Sequence, residues 1–298
     1  MFAPSRRREK LLFMDMAKLA EEHGLERVGG RPSLPEYIKQ LITRSDFTYT
    51  LAKYRMQSEN ERNRLGMLWV LLRPAFSALI YGTVFGYIMK GATARPDDFA
   101  PFVIIGVFVL EFFNTSMNGG AKSIISNASL VQSLPFPRIV LPIATVFQNL
   151  LNFIPTFIFM ALLVMLWGAR PSWDWFLFIP LVILFWIFNQ GVAFIFARAT
   201  VHFRDLSQVT PFISRMIFYT SGVFFDLKVM VEKINPALQP FADWQPLNNV
   251  LSIARGILMK DGVIPYDYFW HLAIWAFGIF IIGFVFFWQA EERFGRDE

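Results

Sequence analysis

Long apolar runs separated by short polar punctuation dominate the chain from residue 67 onward. Six of them, at 67–89, 101–118, 139–167, 173–197, 207–226 and 268–288, read as membrane-crossing helices. About 20 residues at 1.5 Å each cover a hydrocarbon core of roughly 30 Å. The third run is longer than that and carries Pro142 and Pro155, which predicts a kink, a tilt or partial protrusion. Glu111 and Arg215 interrupt the second and the fifth. Ahead of the first run, residues 45–66 predict an amphipathic helix. Phe47, Leu51 and Tyr54 recur there at i, i+4 and i+7, Arg44, Lys53 and Arg55 lie on other faces, and Arg64 stands near its end. That pattern suits a helix lying in the inner headgroup region with its cations near anionic lipid. The alternative is a solvated helix packed on the rest of the protein.

The flanks are less regular. Residues 1–44 alternate short amphipathic pieces with Gly24, Gly29-Gly30, Pro32 and Pro35, and predict an N-terminal extension without a strong sign of its own fold. Residues 289–298 read as a short tail. The stretch 227–267 is a long connector, too rich in Val, Ile, Leu, Phe and Trp to be a free loop. Pro236, Pro240 and Pro246 cut it into pieces. Two short helices near 229–239 and 247–260, re-entering the outer leaflet over a cavity or pore mouth, fit that punctuation, because loose backbone groups at that depth need protein or water partners.

Charge sets the orientation. Of the 28 Lys and Arg, 13 precede the first run, Arg6-Arg7-Arg8 among them. Basic flanks stay in the cytoplasm, so the N-terminus is expected inside, and six crossings return the C-terminus to the same side. The connectors near 119–138 and 198–206 are then cytoplasmic, and 90–100, 168–172 and 227–267 external.

Composition narrows the chemistry. The chain has 298 residues, 55% of them hydrophobic and 17% charged, with no cysteine and three histidines far apart in sequence. A disulfide framework, a thiolate metal site and a cysteine nucleophile are excluded, and a histidine metal cage has little to build on. Gly119-Gly120-Ala121-Lys122-Ser123 lacks the spacing of a phosphate-binding loop and follows no soluble strand. Zincin and nucleophile-elbow motifs are missing as well. No catalytic residue, metal or cofactor is expected in this chain, and no nucleic-acid partner. Energy for uphill transport would have to come from another polypeptide.

The connector after the second run is the most informative stretch. It reads Ser123-Ile-Ile-Ser-Asn127-Ala-Ser-Leu130-Val131-Gln-Ser-Leu134-Pro-Phe136-Pro137-Arg138. Asn127 is placed to cap a short helix carrying Leu130, Val131 and Leu134, and the prolines end it sharply. Exposed on the cytoplasmic side, that helix would be a knob for a partner's groove; otherwise it is an ordinary connector tucked against the membrane.

Asn127-Ala-Ser-Leu-Val followed by Phe136-Pro-Arg-Ile-Val-Leu-Pro142 resembles the signature of the membrane subunit of ABC-2 polysaccharide exporters. Leu65-Gly66-Met-Leu-Trp69 with Pro74, Phe203-Arg204-Asp205-Leu206 with Pro211-Phe212, and Asn235-Pro236, Gln245-Pro246-Leu247 and Arg255 extend the likeness over about 45–290. Three features depart from the family pattern: the long N-terminus, Arg215, and Gly222 after Ser221 where a proline is common. The resemblance implies an all-α fold of six spans with an interface helix and external re-entrant helices. It also implies a homodimer in the bacterial inner membrane, worked by two cytoplasmic ATPase subunits that bring ATP and Mg. The connector at 123–138, with Asn127, Leu130, Val131, Leu134, Phe136, Pro137 and Arg138, would couple to that ATPase, and the 45–66 helix would make a second contact. The cargo would be a polysaccharide on a polyprenyl diphosphate. The long N-terminus and Tyr219-Thr-Ser-Gly-Val fit the actinobacterial galactan exporters best, ahead of O-antigen or teichoic acid. An ABC-2 exporter of a drug or small lipid, a membrane-embedded transferase and a passive channel are the rival readings.

Individual residues carry narrower expectations. Tyr81, Phe85, Phe212, Phe218, Tyr219 and Phe225 sit on spans that line the path in the resembling family, where ring faces would pack on sugar C–H faces. Lipid or core is the more ordinary place for any one of them. Arg215 would face the path, pair with Glu111, or snorkel, since a lone charge inside a span is costly. Gly82 and Gly86 form G-x-x-x-G, which suits either the subunit interface or packing within the chain. Trp167, Trp173 and Trp175 read as an interfacial aromatic belt.

Overall fold

A computed structural model describes residues 32–61, 65–66, 68–84, 98–134 and 136–291. Among them the regular structure is all helical. α1 (Leu34–Thr43) and α2 (Ser45–Glu61) lead into α3 (Leu68–Thr83) and α4 (Phe99–Lys122). The short α5 (Ala128–Ser133) links α4 to α6 (Val140–Met165), and a 3-10 turn at Trp173–Leu177 opens α7 (Phe178–His202). α8 (Leu206–Thr220) is followed by α9 (Leu227–Ile234), α10 (Gln239–Trp244), α11 (Pro246–Leu258) and finally α12 (Asp267–Trp288).

Among the described residues, four segments are long and apolar enough to cross a membrane: Phe99–Lys122, Val140–Met165, Trp173–His202 and Asp267–Trp288. They match four of the six expected runs, with shifted ends. The other two differ. α3 is described for 16 residues, and its expected continuation to 89 lies outside the described residues. α8 has 15 residues, a rise of about 22 Å, which falls short of a hydrocarbon core of roughly 30 Å. The fifth run was expected to reach 226. It stops as a helix at Thr220, because Gly222 turns the chain at φ +82° and a left-handed φ suits glycine alone among common residues. Val223-Phe224-Phe225 extends the apolar run in sequence but folds into the turn.

α4 is the pillar of the bundle. It contacts α3, α6, α7, α8 and α11, and most of its residues from Phe99 to Ala121 are buried. α7 and α12 form the tightest pair. A Cβ on Gly191 would come within 2.5 Å of the Phe280 backbone nitrogen, so bare backbone lets these helices touch. Outward, Ile154, Ile158 and Leu162 on α6 and Ile274, Ile281 and Ile282 on α12 are exposed, the surface expected of helices bathed in lipid. Pro142 sits in the first turn of α6, where a missing N–H costs nothing, and Pro155 lies in its interior.

The connector between α8 and α12 is anchored rather than free. α10 and α11 start beside Pro240 and Pro246, whereas α9 begins at Leu227 on an Asp226 cap, whose carboxylate accepts from Lys228 N at 2.9 Å. α11 is buried along nearly its whole length and fills the 247–260 expectation, whereas the 229–239 piece is split into α9 and a 3-10 turn at Pro236–Leu238. Arg255 on α11 is 7% exposed. Its guanidinium donates to the carbonyls of Phe102 (3.3 Å), Gly222 (2.9 Å) and Val223 (2.9 Å) and lies 3.2 Å over the Phe102 ring. One side chain thereby joins α4, the turn after α8, and α11. Replacing it removes the partner of the Gly222 and Val223 carbonyls in a largely buried setting. Arg255→Met is expected to cost about 3 kcal/mol and Arg255→Lys less, since lysine keeps the charge but loses the planar fork. Thermal unfolding of the purified chain in detergent measures both.

Candidate functional site

The signature block gathers at one end of the bundle, where α2, α5 and the ends of α4, α6 and α12 meet. α5 has six residues, too few to hold itself as a helix. Leu130 and Val131 anchor it by packing, half-buried, on a cluster that includes Tyr37, Ile124, Ile139, Leu141 and Phe287. The expected knob is therefore inverted at these two positions. The outward face of the connector is instead Ile125, Ala128, Ser129, Gln132, Ser133 and Leu134, with Leu134 48% exposed.

Asn127 stands at the N-cap position, yet its side chain makes no capping hydrogen bond. Its Nδ2 donates to Ser123 O at 2.7 Å, and its Oδ1 accepts from Arg55 Nη2 at 2.8 Å. Arg55 Nη1 also donates to Thr145 Oγ1 at 3.2 Å. That pairing turns α2 away from the expected stripe. Thr48, Leu51, Ala52 and Arg55 face the bundle, Phe47 packs on Phe136 with ring centroids 5.5 Å apart, and Tyr54 points outward. Arg55, expected on a polar face, is thus part of the contact, because two hydrogen bonds beside the small Ala52 outweigh one more apolar ring. Arg64 lies outside the described residues.

Arg138 turns inward as well. Its backbone N–H donates to Glu291 Oε1 at 2.8 Å and its Nη1 to Glu291 O at 2.9 Å, with an ion-pair distance of 3.9 Å. Tyr37 is fully buried and donates from its hydroxyl to Glu291 Oε2 at 2.7 Å. Trp288 Nε1 donates to Pro32 O at 3.1 Å. Pro137 is buried between these groups. The last part of the N-terminal extension and the first residues after α12 are thereby built into the signature block. Burial drives the Glu291 carboxyl above the ordinary carboxylate range, although Arg138 and Tyr37 pull the other way. Burial, reinforced by Glu291, drives the Tyr37 hydroxyl upward too.

Of the residues proposed to line a path, three come together. The Tyr81 ring lies 5.6 Å from Phe218, 6.4 Å from Tyr219 and 5.0 Å from Phe224. Phe224 joins them because the helix ends at Thr220 and the turn at Gly222 brings its ring to Tyr81. Phe212 and Arg215 are exposed on the outer face of α8, and Phe225 turns aside to Leu227, Val231 and Ala242. Phe85 and Gly86 lie outside the described residues. A Cβ on Gly82 would meet nothing within 4 Å, so its glycine does not serve packing among the described residues. The cation beside Glu111 is Arg73, not Arg215.

Sequence reasoning also passed over a cavity of about 660 Å³ between α3, α4 and α6, lined by Arg73, Glu111, Gln148, Asn149 and Asn152 among others. Its signal was present. Thr145, Asn149, Asn152 and Thr156 recur at spacings of four, three and four, a polar stripe on an otherwise apolar helix.

Against known proteins, the profile of the ABC-2 type transporter family matches residues 48–259. The O-antigen export system permease protein RfbA of Klebsiella pneumoniae is 28% identical over 232 residues, covering 78% of this chain and 86% of that protein. Its namesake in Myxococcus xanthus is 26% identical over 218 residues, covering 70% and 83%. The polysialic acid transport protein KpsM of Escherichia coli is 26% identical over 233 residues, covering 77% and 87%.

The buried carboxyl yields a pH prediction. Folding raises the Glu291 pKa above its unfolded value, so its contribution to stability is complete below the unfolded carboxylate pKa and is lost as pH rises through the folded one. Hydrogen exchange of the α1 amides is expected to slow as pH falls toward that range, after correction for intrinsic exchange rates. Glu291→Gln should flatten the dependence. Tyr37→Phe should lower α1 protection at every pH, by about 1–2 kcal/mol.

Proposed function

The chain belongs to the ABC-2 type transporter family, and we propose that it is the membrane permease of an ATP-driven polysaccharide exporter. The observation that carries the reading is the run of relatives: each of the three compared above bears a polysaccharide or O-antigen export or transport name and aligns over most of its length. In this reading the cargo is carried on a polyprenyl diphosphate lipid, with a cell-wall galactan favoured over O-antigen or teichoic acid. Two copies of the chain pair in the inner membrane, their termini on the cytoplasmic side, and each binds one ATPase subunit that supplies ATP and Mg.

Mechanically, the ATPase would press on the outward face of the connector, from Ile125 to Leu134, with α2 alongside. Leu130 and Val131 are held by the cluster around Tyr37 and Ile139, and Asn127 is held by Arg55. A push on that face is therefore delivered to the ends of α4, α6 and α12 together rather than absorbed in a loose loop. Rearrangement of the two bundles between two packed states would open and close the path. Tyr81, Phe218, Tyr219 and Phe224 offer ring faces for sliding sugar, and Arg215 with Phe212 would meet the cargo or the second copy.

Depleting the protein in cells is expected to leave a lipid-linked glycan accumulating on the cytoplasmic side, with loss of the surface glycan. Continued surface delivery without accumulation would overturn the reading. Leu134→Asp should lower export about tenfold or more, as expected for a charge placed in a well-packed contact, with membrane levels unchanged. Leu130→Asp should instead lower the amount of folded protein, because its side chain packs inward. Quantitative immunoblotting beside a surface-glycan assay separates the two.

A further inference from the structure

The cavity between α3, α4 and α6 adjoins the coupling end at Thr145, which accepts from Arg55, and otherwise has no assigned role. It follows α4 from Gly119 to Phe108, a rise of about 16 Å, and so reaches from the end of the bundle that holds the signature block well into its interior. Its volume of about 660 Å³ falls in the range of small-molecule sites, roughly 300–1,000 Å³. A polar hollow among membrane helices is costly unless water or a ligand satisfies it.

Its walls narrow the ligand class. Hydroxyl and amide groups predominate, from Thr115, Gln148, Asn149 and Asn152. The Asn152 Oδ1 is buried without a hydrogen-bond partner, leaving an acceptor that calls for an O–H or N–H donor. Formal charge is balanced, one guanidinium from Arg73 against one carboxylate from Glu111. A diphosphate or an acidic sugar would need a surplus of cation; among the described lining residues there is none, and the nearby Arg55 is engaged by Thr145 and Asn127. Trp69, 38% exposed, supplies ring surface beside the polar stripe, while Phe112 and Phe153 line the wall but are almost fully buried. Uncharged sugar matches this set: hydroxyls that both donate and accept for the amides, and C–H faces for the Trp69 ring.

We infer that the α3–α4–α6 cavity is a binding site for a short uncharged stretch of glycan, separate from the aromatic cluster around Tyr81. The inference rests on the exporter reading only for the source of its ligand. Isothermal titration of the full chain in lipid nanodiscs, with neutral galactotetraose and with inorganic pyrophosphate as separate titrants, tests it. Galactotetraose should bind the wild-type chain and should bind about tenfold more weakly to Asn152→Leu. Asn152→Gln should recover part of the loss. Asn149→Leu, on the same stripe, guards against a single variant that fails to fold, and melting temperatures identify any that do. Glu111→Gln should leave sugar binding within about threefold, since the amide still accepts hydrogen bonds. Absence of galactotetraose binding, binding indifferent to both Asn149 and Asn152, or saturable pyrophosphate binding would each overturn the inference. The titration uses no ATPase. Sugar binding would therefore survive a failure of the export assay, and export without sugar binding would retire the cavity alone.

Discussion

A chain that breaks its helices among apolar neighbours must find internal partners for the carbonyls it frees, and Arg255 meets that demand here. The break follows α8, where Gly222 takes a left-handed conformation and the next residues turn. Two of the freed carbonyls, on Gly222 and Val223, are taken by one guanidinium, whose remaining reach goes to Phe102 on α4. The ring of Phe102 under the guanidinium plane adds a cation–π contact in a dry setting where such contacts are strongest. Without this fork the carbonyls of Gly222 and Val223 would lose their partner among apolar neighbours, and the turn after α8 would lose its tie to α11, whose apolar residues pack in the core in their own right.

The opposite end of the bundle obeys the same rule with different groups. Arg138 and Tyr37 supply donors to Glu291 where three chain segments converge. Arg55 and Asn127 join α2 to the connector a short distance away. A buried carboxylate is expensive unless its oxygens are hydrogen-bonded, and both oxygens of Glu291 have donors. The cost of burial is therefore reduced, without being cancelled, by geometry that only the assembled end provides. This makes the signature block a clamp as well as a contact. Phe136, Pro137 and Arg138 hold the connector in place, and the residues left to meet a partner are those that point away from the clamp.

Local pattern made much of this legible. The four long helices, the start of α11 at Pro246, and the short helix before Phe136 all follow from spacing and turn chemistry. What failed were readings that depend on a distant partner. Nothing near Asn127 in sequence reveals that its oxygen serves Arg55 instead of its own helix. Nothing near Tyr54 reveals that α2 is rotated by the same arginine. Tyr37 and Glu291 are 254 positions apart, so no periodicity could join them. Two misses were different in kind. Phe224 was hidden because an apolar run was continued through a glycine that ends it. The stripe of Thr145, Asn149, Asn152 and Thr156 was visible at helical spacing, but it was overlooked among so many apolar neighbours.

The distribution of packing also says where the bundle can yield. α4, α7, α11 and α12 are locked together by close backbone contact, buried side chains and the Arg255 fork. α3 and α8 lean mainly on α4 and keep broad apolar faces exposed, Phe76, Leu79 and Ile80 on the one and Val209, Phe212 and Met216 on the other. Elements with fewer packed neighbours are the ones that shift at the lowest cost, and packed cores move as units rather than bend. A change imposed at the clamp would therefore pass through the rigid set unchanged and appear where α3 and α8 meet it. The Tyr81 cluster joins α3 to α8 and the turn, and the polar cavity lies under α3. Both sit on that compliant boundary, so a moderate shift of α3 would alter the width of the cavity and the spacing of the rings together.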